Sequence, residues 1–234
     1  MIRGRRFGAA LAVAGLLLGG GLGRAAEKSL AELVAPYLKA REEKSLGTVT
    51  ASALADAPRP TGNPIPQPSV TVTVLPFRAG FQSELDAAKA GLRESVDAYI
   101  QTVSRIETAR VDYERALLEA GAGELVRTGL TDAQGAVTLA DLPEGDWLVL
   151  AWREGGHLTK KFRLRGNETS KFPNVPTSVT YSVVTFWRTR IAVRAGETTD
   201  ITLGDRNVWL SAARQEGGTP VPPRAPTKSG DKRR

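Results

Sequence analysis

Cysteine is absent from this 234-residue chain, and histidine occurs once, as His157. The first absence excludes disulfides, thiolate metal sites and lipid attachment at a cysteine. The two together exclude a Cys/His zinc site, because zinc normally takes several N or S ligands. No metal, cofactor or catalytic residue is expected. His157 lies in Glu154-Gly155-Gly156-His157, read as a loop between strands. No motif supplies it with a nucleophile and an orienting acid, so a hydrolase built around His157 is the least favoured of three functional readings. Phosphate-loop spacing is missing too: Gly91, Gly155-Gly156 and Gly217-Gly218 fit neither a Walker nor a dinucleotide pattern. Beyond the first 25 residues no apolar run is long enough to span a bilayer, and no transmembrane segment is expected in the mature chain.

The formal charge of +7 suggests a basic protein, but its distribution does not. Residues 1–25 hold four arginines, and residues 217–234 hold five cations against one acid. Removing both ends leaves a net charge of about −1 for residues 26–216. The folded part is neutral, so a nucleic-acid partner is not expected.

Residues 1–25 read as a signal peptide. Arg3, Arg5 and Arg6 precede the apolar stretch Phe7–Leu22, and Gly23-Arg24-Ala25 offers small residues for cleavage before Ala26. The chain is expected to be exported, to the periplasm, the cell envelope or the exterior. Retention of the leader as an anchor stays open. Residues 26–46 form a helical arm with Leu30, Leu33, Val34, Tyr37 and Leu38 on one stripe, interrupted by Pro36. Residues 217–234 read as a disordered, basic, Pro-rich tail, whose Pro220–Arg224 segment has polyproline character. Asn167-Glu168-Thr169 matches a glycosylation sequon.

Strands occupy much of the remainder. Val70, Val72 and Val74 alternate with threonine, and Gly47–Thr50 reads as an earlier strand. Asp132 and Gly135 supply the turn before a strand carrying Val137 and Leu139. Leu142–Asp146 makes a corner into Trp147–Trp152, apolar on both faces. Further strands are expected over Thr159–Leu164, Val179–Val193 and Thr199–Leu203, the last extended by Val208–Leu210.

Proline is absent from residues 83–120, and the one glycine there is Gly91. Ser83 and Asp86 resemble a capping box, and Leu92, Val96, Tyr99, Val103 and Ile106 lie on one apolar seam. A continuous helix of about 37 residues would be about 55 Å long, against about 20 Å for a strand. Part of the seam is therefore expected to bend back or to meet a partner.

Gly47-Thr48-Val49-Thr50, Pro66–Val74, Thr131-Asp132…Gly135, Leu142-Pro143-Glu144-Gly145-Asp146-Trp147 and Gly196-Glu197-Thr198-Thr199 resemble, in that order, the carboxypeptidase regulatory-like domains. The resemblance implies a mainly β, transthyretin-like Greek-key sandwich of about seven strands over residues 47–216. It places residues 83–120 as a helical insertion between strands 2 and 3. It is specific for fold and nearly silent on activity. Enzymes similar to transthyretin need several histidines, and the related intradiol dioxygenases need two Tyr and two His.

The favoured function is a non-catalytic exported binding or structural module of the cell envelope. It would meet a protein partner, or itself, through the seam of Leu92, Val96, Tyr99, Val103 and Ile106. The alternative is a carbohydrate-binding module using surface aromatics. Trp147 and Trp187 read as core, whereas Phe186, with Val184, Arg188 and Arg190 on the face opposite Trp187, forms the patch for a glycan.

Overall fold

The computed structural model describes residues 29–57, 62–93, 95–161 and 178–216. The leader, the sequon, Phe162, Leu164 and the tail lie outside the described residues, as does the Val96 side chain.

Alternation in the sequence becomes two packed sheets. In the first, β1 (Leu46–Ala55) pairs antiparallel with β5 (Ala136–Pro143) and with the two-residue β2 (Ile65–Pro66), and parallel with β8 (Thr198–Gly204). The second is antiparallel, in the order β4-β3-β6-β7-β9. Its strands are β3 (Thr71–Pro76), β4 (Arg127–Leu130), β6 (Gly145–Lys161), β7 (Ser178–Val193) and β9 (Leu210–Glu216). The described residues thus hold nine strands rather than about seven: β2 and β4 are too short to leave a periodic signal, β9 is separate from β8, and Thr159–Lys161 continue β6. Between the sheets lie Val49, Ala51 and Ala53 of β1, Leu139 and Leu142 of β5, and Leu203 of β8. They meet Val72, Val74, Trp147, Val149, Ala151 and Trp187 of the second sheet. Trp187 Nε1 donates to the Gly204 carbonyl at 2.9 Å and so ties the two sheets together.

Two turns are fixed by particular residues. Asp132 Oδ1 accepts from the backbone of Gln134 and of Ala136, both at 2.9 Å. Gly135 then turns back at φ +75°, and a Cβ there would stand 2.4 Å from the Ala53 carbonyl. At the second corner Gly145 has φ +155°, and a Cβ would meet the Tyr37 ring at 2.6 Å. Only glycine admits that approach.

The arm is an ordered helix, α1 (Leu30–Glu42), started by a reciprocal capping box between Ser29 and Glu32. It runs through Pro36 and buries Val34 and Tyr37 against the end of the sandwich. Tyr37 packs edge-on to Trp147 with ring centroids 5.1 Å apart.

The insertion is two helices rather than one: α2 (Ala79–Ala90) and α3 (Val96–Glu119), joined by a 3₁₀ turn at Gly91–Arg93. Helix α2 starts four residues before Ser83, whose hydroxyl donates back to the Ala79 carbonyl at 3.0 Å. The missed signal was Ser95, which sits extended (φ −160°) and caps α3 by accepting from the Ala98 amide at 3.0 Å. Phe81, early in α2, stacks on Tyr113, late in α3, at 4.6 Å, so the helices run antiparallel. They lie between β3 and β4 in the chain and cover the outer face of the second sheet. That explains why β6 reads as apolar on both sides: one face meets the first sheet, and the other meets helices.

Candidate functional site

The outward faces of β6 and β7 alternate into this helical layer, and so the expected surface patch is not on the surface. Val184 and Phe186 are each 1% exposed. Both belong to the core that α3 closes, and Phe186 cannot serve as a platform for a glycan. Arg188 and Arg190 share their face but are held apart from any common site. Arg188 pairs with Asp86 of α2 at 2.8 Å. Arg190 pairs with Asp146 at 2.7 Å and lies over Phe77 at 4.0 Å.

The expected interaction seam is also internal. Val103 and Ile106 are fully buried, and Leu92 and Tyr99 pack partly buried against the same core. The physical reason is the break at Gly91–Arg93, which shortens the longest helix to 24 residues. At 1.5 Å per residue that is about 36 Å, a length that the five-stranded sheet and α2 can cover.

The structure brings together a different set. Arg188 continues past Asp86, and its guanidinium carbon stands 4.4 Å from the ring centroid of Trp209. Lys89 of α2 lies 5.4 Å from that ring and donates its ammonium to the Trp209 carbonyl at 2.8 Å. Trp209 is half-buried beside a groove of about 640 Å³ between α2 and the β8–β9 connection, lined also by Leu92, Val208 and Ser211. Such cation–π contacts are worth about 0.5–1 kcal/mol where exposed and about 2 where desolvated. Val208–Leu210 do not extend β8, as the sequence suggested. A 3₁₀ turn at Asp205–Asn207 intervenes, with Asn207 Oδ1 accepting from the Gly204 amide at 2.7 Å. The run Gly204-Asp205-Arg206-Asn207 carries turn-forming residues and was the signal for this break.

His157 has neighbours that no linear motif announced. A bulge at Gly155–Gly156 sets His157 opposite Ser182, and Ser182 lies opposite Arg214 on β9. Ser182 Oγ donates to Glu154 Oε1 at 2.5 Å, and Arg214 bridges Glu154, at 3.4 Å, to Glu107 of α3. A carboxylate, a hydroxyl and an imidazole therefore share one region. The hydroxyl is fully buried, however, and its proton is aimed at Glu154. A nucleophile must reach substrate and lose its proton to a base; this cluster instead fastens α3 to the sheet by ion pairs.

No known family profile and no curated protein matches the chain. Among solved structures it is similar to a candidate carbohydrate-binding protein of Pseudomonas aeruginosa, at 14% identity and TM-score 0.35, over 68% of this chain and 88% of that one. A minor pilin of Streptococcus agalactiae aligns at 11% identity and TM-score 0.24, over 76% of this chain and 100% of that one. A pilus backbone protein of Streptococcus pneumoniae aligns at 12% identity and TM-score 0.25, over 67% of this chain and 40% of that one.

Among the described residues no helix is long and apolar enough to cross a membrane. No group of three His, Cys, Asp or Glu in those residues could hold a metal ion.

Proposed function

We propose that this chain is an exported, non-catalytic binding module of the cell envelope, built on a carboxypeptidase regulatory-like sandwich, and that its ligand meets the Trp209 groove. The observation that carries this reading is how the four tryptophans are used. Trp147 is buried and donates to the Pro143 carbonyl at 2.9 Å. Trp187 donates across the sandwich to the Gly204 carbonyl. Trp152 is half-buried with Arg110 over its ring at 4.9 Å. Trp209 is half-buried and lines the groove of about 640 Å³, whereas Trp187, which lines a smaller cavity of about 340 Å³, is only 6% exposed. Large rings at such openings supply contact area at small entropic cost.

The test compares wild type with Trp209→Ala for co-sedimentation with an isolated cell-envelope polysaccharide fraction. Retention is expected to fall at least tenfold in a variant whose circular dichroism matches wild type. Equal retention by both would contradict the groove.

A second reading keeps the protein partner but moves it from the buried seam to the outer face of the helices. Val111 and Leu118 are 40% and 68% exposed on α3, seven residues apart. Beside them runs a trough lined by Glu84, Gln101, Ser104, Arg105, Thr108 and Asp112. Sedimentation velocity distinguishes this case: self-association that Leu118→Glu abolishes would favour it.

A further inference from the structure

Charge in the Trp209 groove is unbalanced in a way that points to a class of ligand. The carboxylate in its lining, Asp86, is already taken by Arg188 at 2.8 Å. Lys89 is exposed and pairs with no carboxylate among the described residues; its ammonium spends one donor on the Trp209 carbonyl. An ammonium has three donors and no acceptor, which leaves two protons for a ligand. Lys89 lines the groove against the indole, and Arg188, outside the lining, stands over the same ring, so the ring lies in a positively charged setting. With Asp86 offset by Arg188 and Lys89 left without a carboxylate, the groove carries a net positive charge that favours an anionic, acceptor-rich ligand. Its apolar parts, Ala90, Leu92 and Val208, suit the C–H faces of a sugar ring.

Resting on the groove assignment above, we propose that the Trp209 groove binds an acidic oligosaccharide. A uronate carboxylate meets Lys89 on the Arg188 side of the indole, and the sugar ring lies along Leu92 and Val208. Because Lys89 is exposed, binding is salt-sensitive.

Isothermal titration of the full chain with tetragalacturonate, cellotetraose and hexaglutamate tests this. Tetragalacturonate is expected to bind at least tenfold more tightly than either of the others. The preference should shrink at least fivefold in 0.5 M NaCl and in Lys89→Gln, a surface change that leaves the fold intact. Cellotetraose binding as tightly, with loss in Trp209→Ala, would overturn the acidic preference and leave the groove standing. Hexaglutamate binding as tightly would overturn the glycan. Tetragalacturonate binding undiminished in Lys89→Gln would overturn the assigned contact. Absence of binding by all three, together with unchanged envelope retention in Trp209→Ala, would overturn both the class and the groove.

Discussion

Tyr37 donates its hydroxyl to the Asp146 carbonyl while its ring edge meets Trp147, so one side chain closes the end of the sandwich. Burial pushes its phenol up from 10.0 to about 12, and the nearby Asp146 carboxylate adds to the rise. The folded state therefore favours the neutral phenol. Its contribution to stability is complete below pH 10 and is lost as pH rises through about 12. Thermal unfolding from pH 9 to 12 is expected to show a steeper fall for wild type than for Tyr37→Phe above pH 10. Parallel curves would contradict the assignment. The packed role of Trp147 was legible in the Leu-Pro-x-Gly-x-aromatic corner. Its partner Tyr37 was not, because local pattern carries no information about contacts more than a hundred residues apart. Local pattern likewise hid the meeting of Arg188, Lys89 and Trp209, which come from three different elements.

Helices α2 and α3 show how far periodicity reaches. Spacing at three and four correctly gathered Val103 and Ile106 onto one face, and both are buried. It could not say what covers that face. Periodicity alone also carries the helix through Gly91–Ser95, where the chain reverses, because a single glycine is tolerated in a helix; the cap at Ser95 marks the break. Ser95→Ala is accordingly expected to cost about 1 kcal/mol in denaturant unfolding. Ile106→Ala should cost about 2–5 kcal/mol, as large-to-small changes in cores do. Val103→Glu places a carboxylate where Val103 has no solvent contact, and a buried charge without a partner is strongly unfavourable. It should unfold the domain rather than dissociate an assembly. A folded Val103→Glu protein with wild-type Tm and altered sedimentation would restore the seam as an interface.

Taken whole, the molecule is three layers, with a sheet in the middle that is buried on both sides. At the rim where α2 passes the β8–β9 connection, an aromatic ring and an exposed lysine line a groove, with Arg188 over the same ring. Trp147, Trp187, Phe81 and Phe186 are committed to packing, and the His157 region is committed to ion pairs that hold α3 down. The fold class was readable because turn chemistry and alternation are local properties. Phe186 reads as a surface residue in the sequence because a strand's outward face can be covered by another layer, which sequence parity does not reveal. The most direct test of a rim site is an NMR titration of the ¹⁵N-labelled full chain with isolated envelope polysaccharide. Shift changes are expected to be confined to residues 86–92 and 208–211 and to the Trp209 indole. Changes along residues 104–118 of α3, with the Trp209 indole unmoved, would contradict it.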